Sequence, residues 1–274
     1  MNAQPMGFYP LEAIKEDGRR HGVPFLNPDI NLSLGKCTIQ SDSMLLGLTF
    51  VKNVGSALAG DIIEERERNG PYIHSGDLVR RTGLKPQAVE SLVLAGTFDR
   101  VTPNRRVCLW EAGLYNRPRK GQLVLPLSMD DSIPELPDFS DYEKMIAEYG
   151  RMGIYPRGHI MQFLRLRLKP WVMKTEQLYE TNEGERVHVA GWPIARQHPK
   201  GEDGTVFVTV QDESGDVQLI LWPHVYARFR KELRSTIIIA RGYISRRDGT
   251  TNVIVSHVEA VPIPANLPKS HDWH

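Results

Sequence analysis

The chain has 274 residues, of which 41% are hydrophobic and 24% are charged, with a net charge of +1. This composition is typical of globular proteins, and the length predicts two or three domains. No apolar run approaches the roughly 20 residues of a membrane span, and the first residues lack the pattern of a secretory signal peptide. Cys37 and Cys108 are far apart, which argues against a disulfide framework and a zinc site. We therefore expect a cytoplasmic protein without membrane contact.

The distribution of charge is more informative than its sum. Residues 100–120 carry six basic residues and one acid, whereas residues 128–143 carry six acids and no base. A basic segment followed by an acidic, proline-containing linker indicates separate parts, one of which could face a polyanion. Two ordinary solvated surfaces would give the same pattern.

Residues 1–43 hold too little material for a core of their own. Leu11–His21 is predicted to be a short helix that ends before Gly22, and Thr38–Gln40 a strand. We interpret this part as the end of a larger domain or a flap.

Residues 44–120 predict a compact helical unit. The end of an apolar helix is predicted to lead into the turn Lys52-Asn53-Val54-Gly55, and Ser56 could cap the second helix that follows. Asn and Gly tolerate positive φ, and a turn of this kind leaves backbone N–H groups facing outward, where a phosphate can accept them. The pattern resembles a helix-hairpin-helix that grips nucleic-acid backbone; an ordinary αα-hairpin is the alternative.

Three further helices are predicted in this unit. One starts at Ser75 and ends at Gly83, the next is Pro86–Leu94 with Gly96 as its C-cap, and the third is Arg105–Tyr115. The second of them with its closing turn echoes the first hairpin.

Residues 121–139 are irregular and contain Gln122-Leu123-Val124-Leu125-Pro126-Leu127. Pro126 stops both a helix and a central strand. Such a peptide could dock into a pocket on a partner protein, or its leucines could pack on the helical unit.

A helical connector is expected over residues 140–184. Ser140 and Glu143 have capping-box spacing for a helix that ends at Tyr149. A second helix is predicted from Gly158 to Leu168. His159, at its start, is interpreted as a packing or capping histidine.

Residues 185–262 predict a β-domain. Five segments have the β-branched content and alternation of strands: 186–197, 204–211, 216–222, 236–246 and 251–261. One helix, His224–Leu233, lies between the third and fourth. This order is that of a five-stranded OB-fold barrel, whose second and third strands commonly face the ligand.

OB-fold barrels bind single strands by stacking bases on aromatic residues and contacting the backbone with cations. The candidates are Phe207 and Trp222 on strands two and three, and Arg196, Lys200, Arg246 and Arg247 on loops or strand ends. Either aromatic could equally belong to the core.

Catalytic motifs are missing from the sequence. It contains no phosphate-binding Gly-rich loop, GxSxG, HExxH or CxxC, and no carboxylate pair on adjacent strands that could hold two metal ions. We predict no catalytic residue and no metal ligand in this chain, which binds rather than catalyses.

With these parts identified, the sequence resembles the C-terminal part of bacterial family C DNA polymerases, the DNA polymerase III alpha subunit and its error-prone relative, and is most similar to the error-prone branch. The matching phrases run from end to end: NAQPMGFY (2–9), DGRRHG (17–22), PDIN (28–31), LGL and VKNVG (46–55), LAGTFD (94–99), VFVTVQDE (206–213) and SHDWH (270–274).

The resemblance implies roles for several segments. Residues 1–43 would be the end of the fingers, 44–120 the helix-hairpin-helix unit, 121–139 a linker, 140–184 a connector, 185–262 the OB fold and 263–274 a C-terminal tail. In this family the sliding-clamp peptide lies between hairpin and barrel, so Gln122 would bind the pocket rim while Leu123, Leu125 and Leu127 fill the pocket.

Two departures from the family pattern matter. Asn53 stands where the hairpin usually has Gly, at some cost in the left-handed region. The palm domain, whose catalytic aspartates bind Mg²⁺, would precede Met1. No cofactor is therefore expected in this chain.

The resemblance predicts a DNA-binding region used in replication, translesion synthesis and repair. Lys52, Asn53, Val54, Gly55 and Ser56 would hold duplex phosphates, and the barrel would contact single-stranded DNA or a partner such as the remainder of the polymerase. Two alternatives remain open: a stand-alone accessory protein for single-stranded or branched DNA, and a barrel that serves mainly in protein contact.

Overall fold

The computed structural model describes residues 1–3, 11–115, 135–198, 204–247 and 249–263. Counting only these, the chain divides into two compact units. The first comprises the described residues within 1–5 and 17–157, and the second those within 6–16 and 158–274. The division at residue 157 falls inside the predicted connector.

The elements follow one another in this order: α1 (Leu11–Arg20), β1 (Phe25–Leu26), β2 (Thr38–Gln40), β3 (Ser43–Leu45), α2 (Ser56–Asn69), α3 (Ser75–Thr82), α4 (Pro86–Leu94), α5 (Arg105–Tyr115), α6 (Asp141–Met152), α7 (Ile160–Leu164), β4 (Val172–Met173), α8 (Thr175–Leu178), β5 (Arg186–Gln197), β6 (Val206–Gln211), β7 (Asp216–Leu221), α9 (Pro223–Phe229), β8 (Ile238–Arg247) and β9 (Thr250–Ala260). Single 3₁₀ turns occur at Leu48–Phe50, Arg165–Arg167 and Glu232–Arg234.

Helices α3 and α4 of the first unit begin and end where their sequences predict, and α6 begins where predicted. Pro86 is at the first turn of α4, and Gly83 ends α3 in the left-handed conformation with φ +63°. The Ser140–Glu143 capping box is present at α6. These signals are local hydrogen bonds and backbone preferences, so the sequence alone can specify them.

Two expectations in this unit are wrong. The segment before the hairpin turn is a single 3₁₀ turn, not a helix end, because β3 continues to Leu45 and extended Gly47 packs against the backbone of Gly35. Helix α6 does not stop at Tyr149: it continues to Met152, which is buried, and ends at left-handed Gly153. Burial of Met152 outweighs the roughly 1 kcal/mol cost of a glycine inside a helix.

The second unit contains a closed barrel of five strands. The order of its strands is β5-β6-β7-β9-β8, and β8 pairs back to β5 to close it. All pairings are antiparallel except β7 with β9. With α9 between β7 and β8, this is the OB-fold topology expected from the sequence.

Alternation of side chains separates the two faces of the barrel wall. Val206, Val208 and Val210 of β6 point into the core with Leu219 and Leu221 of β7. Burial of these aliphatic side chains is the main stabilising contribution. The residues between them face outward.

The connector differs most from its prediction. The expected helix 158–168 is only Ile160–Leu164 followed by the 3₁₀ turn, and the short strand β4 pairs in parallel with β5. His159 caps α7, because its Nδ1 accepts a hydrogen bond from the Met161 N–H at 3.2 Å. The capping interpretation of this histidine is confirmed.

Candidate nucleic-acid interface

The turn before α2 has the geometry that a phosphate contact needs. Asn53 adopts the left-handed conformation with φ +67°, as the resemblance requires of a residue in this place. Val51 and Val54 on either side of it are buried, and the Val54 N–H donates to the Val51 carbonyl at 3.0 Å. Buried valines therefore fix the turn while Lys52 and Asn53 stay exposed.

The N-terminus of α2 is open. Gly55 is its N-cap and provides no side-chain hydrogen bond, so Ser56 is the first helical residue and not the cap expected from the sequence. The first N–H groups of a helix have no partner within it, and Gly55, Ser56 and Ala57 are all exposed. These amides and the helix dipole favour an anion.

A cleft of about 520 Å³ lies beside this turn, between it and the end of α6. Lys52 and Arg151 line it, and among the residues that the structure describes no carboxylate does. The Lys52 N–H donates to the Arg151 carbonyl at 2.8 Å, which fixes the two basic residues next to each other. Arg151 also pairs with Glu90 at 2.7 Å. No sequence pattern indicates that Arg151 belongs to this site, because 98 positions separate it from Asn53.

In the second unit, the two aromatic candidates lie outside the barrel core. Phe207 is half-buried on the outer face of β6, and Trp222 follows β7 as the N-cap of α9, with 39% of its surface exposed. Their positions agree with an aromatic surface on strands two and three.

Of the basic candidates that the structure describes, Arg196 is buried, whereas Arg246 and Arg247 are exposed. Arg196 lies within β5, is 3% exposed and donates to the carbonyl of Leu233, so its role is structural. The Arg246 guanidinium donates to the carbonyls of Tyr179 and Thr181 at 2.7 and 2.6 Å. The hydrogen bonds from Arg196 and Arg246 to these carbonyls could be recognised only from the fold. Arg247 is exposed at the end of β8.

Five predicted residues lie outside the described part of the chain: Gln122, Leu123, Leu125 and Leu127 of the clamp-like peptide, and Lys200. The described ends of the loop that carries Lys200 contact α9. His198 packs edge-on against Tyr226, and Gly204 lies beside Pro223.

The described ranges hold neither a cluster of metal ligands nor a membrane-spanning helix. They contain no group of three or more His, Cys, Asp or Glu placed to hold a metal ion. No helix there is long and apolar enough to cross a membrane.

Each of the two units contains a segment that matches a known protein family. Residues 22–108 match a helix-hairpin-helix motif family, and residues 187–261 match an OB-fold nucleic acid binding domain. The error-prone DNA polymerase of Mycolicibacterium paratuberculosis is 34% identical over 267 residues, which is 96% of this chain. This chain is a relative of the error-prone DNA polymerases. The resemblance drawn from the sequence is confirmed.

This chain corresponds to only a part of each of these error-prone DNA polymerases. The chain spans 24% of the length of the M. paratuberculosis enzyme and 24% of the Nocardia farcinica enzyme, which is also 34% identical. Among solved structures, an asparaginyl-tRNA synthetase from Pyrococcus horikoshii matches with a TM-score of 0.30 and 20% identity, over 35% of this chain and 24% of its own. That overlap is too small to support an argument.

Proposed function

We propose that this chain is the DNA-holding C-terminal region of an error-prone polymerase, acting in DNA synthesis during replication, translesion synthesis and repair. The observation that carries the proposal is the exposed N-terminus of α2, which follows a left-handed turn and faces a cleft lined by Lys52 and Arg151. The matching helix-hairpin-helix and OB-fold families support a nucleic-acid ligand.

The hairpin would hold duplex DNA by its phosphates. Backbone N–H groups and two cations contact phosphate oxygens without reading bases, which suits a polymerase that must bind any sequence. The barrel would contact single-stranded DNA or another part of the polymerase.

Nucleotidyl transfer would belong to the part of the polymerases that this chain does not span. Purified chain supplied with primer–template, nucleotides and Mg²⁺ should therefore give no primer extension. Extension above a protein-free control would overturn this.

Ser56→Asp tests the hairpin. A carboxylate in the first turn of a helix stabilises it through the dipole, so the fold should be kept, whereas the same charge repels phosphate. We expect duplex affinity, measured by fluorescence anisotropy, to fall at least tenfold. Lys52→Ala should weaken binding similarly and make its salt dependence shallower, since one phosphate contact is lost.

Gln87→Asp is the matched control. It places one negative charge in the exposed first turn of α4. Gln87 is not among the residues that line the cleft, and the change should alter duplex affinity less than twofold. If Ser56→Asp and Gln87→Asp behave alike, the hairpin is not the duplex site.

Salt separates the candidate functions. Phosphate contacts lose affinity steeply as salt rises, so a flat response or no DNA binding would favour a barrel used in protein contact. Strong single-strand binding with no duplex binding would favour a stand-alone accessory protein.

The peptide Gln122–Leu127 is proposed to bind the sliding clamp, which rests on its sequence alone. Gln122→Ala with Leu125→Ala should abolish co-elution with the purified clamp and leave DNA affinity unchanged. Unaltered co-elution would remove this role.

A further inference from the structure

A row of apolar side chains crosses the outer face of the barrel. Strand register places Phe207 opposite Ile220, Ile220 beside Ile254, and Ile254 opposite Tyr243. The row therefore spans β6, β7, β9 and β8. None of these four side chains belongs to the barrel core, which takes their neighbours Leu219, Leu221, Val253 and Val255.

One end of the row opens into a groove beside α9. The groove has a volume of about 300 Å³, and its lining includes Trp222, His224, Arg228, Tyr243 and Ile254. Trp222 and Tyr243 are exposed to 39% and 43%. Ile254, in contrast, is only 9% exposed, so the groove has an apolar floor between two accessible aromatic residues.

The charge of the groove is positive. Arg228 lines it, and none of the described residues around it is a carboxylate. Arg228 lies 5.2 Å from the centroid of the Phe229 ring, and within the ranges that the structure describes it has no ion pair with an acid. Glu259 is the acid on the neighbouring part of β9. It forms an ion pair with Arg241, and its Oε1 lies 3.4 Å from Nε2 of His257.

This combination fits one kind of occupant. Accessible aromatic rings next to an unneutralised guanidinium bind single-stranded nucleic acid, because bases stack on the rings and phosphates pair with the cation. An apolar peptide would use the rings and the floor but would gain nothing from Arg228.

We propose that the groove between Trp222 and Tyr243 receives unstacked bases of single-stranded nucleic acid, with Arg228 on the phosphate and the row through Ile220 to Phe207 continuing the path of the strand. The site thus extends from the second and third barrel strands onto the last two. This inference rests on the proposed contact of the barrel with nucleic acid and is independent of the hairpin.

The test uses the full chain with fluorescently labelled oligo(dT) of twenty nucleotides and a labelled duplex. Tyr243→Ala, Trp222→Ala and Arg228→Ala should each weaken oligo(dT) binding about tenfold, within the range measured for base–aromatic stacking. Tyr243→Phe keeps the ring and should retain affinity. Duplex affinity should be unchanged in all four, and their far-UV circular dichroism should match that of the unchanged chain, which shows that the barrel is folded.

Matched controls come from the same unit. Trp171 is 60% exposed beside Lys169, and Arg230 is exposed just after α9; neither lines the groove. Trp171→Ala and Arg230→Ala should change oligo(dT) affinity less than twofold.

A second measurement avoids substitutions in the groove. Oligo(dT) with 5-iodouracil should photocrosslink to Trp222 or Tyr243, as identified by mass spectrometry. Crosslinks confined to other residues, or unchanged affinity in the three alanine variants, would overturn the groove. If those variants instead lose binding to an acidic aromatic peptide, the occupant is protein. Loss of duplex binding in Ser56→Asp would still support the hairpin in either case.

Discussion

The side-chain amide of Asn53 donates a hydrogen bond to the hydroxyl of Ser91 at 3.0 Å. Ser91 lies in α4 and is buried, so the bond ties the exposed hairpin turn to a helix of the same unit. The left-handed conformation of a non-glycine residue costs about 1–2 kcal/mol, and asparagine reduces this through local polar contacts. Here the tether gives a reason for asparagine where the family pattern has glycine.

Replacing Asn53 tests this tether. Asn53→Ala loses the hydrogen bond, worth about 1 kcal/mol, and bears the full cost of the left-handed region. We expect a loss of about 2 kcal/mol in the free energy of unfolding, measured with urea. Asn53→Gly should lose less than 1 kcal/mol and keep duplex affinity.

Asn69→Ala is the control for Asn53. Within the described part of the chain, the Asn69 side chain has one hydrogen-bond partner, Glu65, at the exposed end of α2. Asn69→Ala should therefore change stability by less than 0.5 kcal/mol. Equal losses for Asn53→Ala and Asn53→Gly would mean that the backbone conformation contributes nothing.

The buried pair Arg105–Glu148 should be essential to the first unit. Arg105 is 1% exposed and its guanidinium lies 2.5 Å from Glu148 and 2.7 Å from Asp99. Arg105→Met leaves a fully buried carboxylate short of one cation, so we expect about 3 kcal/mol of destabilisation in urea unfolding.

Arg106→Met is the neighbouring control. Arg106 pairs with Glu143 on the surface at 3.3 Å, and its loss should cost less than 1 kcal/mol. Similar costs at positions 105 and 106 would refute the importance of burial.

Asp212 should be the corresponding anchor of the second unit. Its carboxylate accepts hydrogen bonds from Arg165 at 2.8 Å, from the Thr175 hydroxyl at 2.6 Å and from the Ser214 N–H at 2.8 Å. Asp212→Ala removes the acceptor of all three, and we expect about 3 kcal/mol of lost stability. Glu176→Ala, which breaks an exposed pair with Lys174, should cost under 1 kcal/mol; a comparable loss there would contradict the prediction.

Asp77 should make stability depend on pH. Burial alone would raise its pKa, but hydrogen bonds from Arg80, Arg81 and the Ile73 N–H outweigh burial and hold the pKa below its ordinary value. A pKa lower in the folded than in the unfolded state stabilises the fold above the unfolded value of about 3.9 and loses that contribution as pH falls through the folded value.

The measurement is urea unfolding at pH 6 and pH 3. Asp77→Asn should lower the free energy of unfolding at pH 6. Between pH 6 and pH 3, the variant should lose less of this free energy than the unchanged chain does. An identical pH dependence in both chains would show that another carboxylate is responsible.

The sequence by itself determined the local structure and the family. Capping boxes, Pro86 and the turn glycines act through neighbouring atoms, and β-branched alternation marks each barrel strand, so these features can be read without a fold. The phrases shared with family C polymerases identified the relatives correctly.

Only the tertiary structure decided which side chains are available for binding. Arg196 looks like a surface cation in sequence but is buried against the Leu233 carbonyl. Arg246 is exposed, but carbonyl groups distant in the chain accept hydrogen bonds from its guanidinium. Arg151 of α6 lines the cleft beside the hairpin turn. The register of four strands places Tyr243 in the same row of outer side chains as Phe207. Such contacts are set by the long-range packing of whole elements, and no local pattern of residues encodes them.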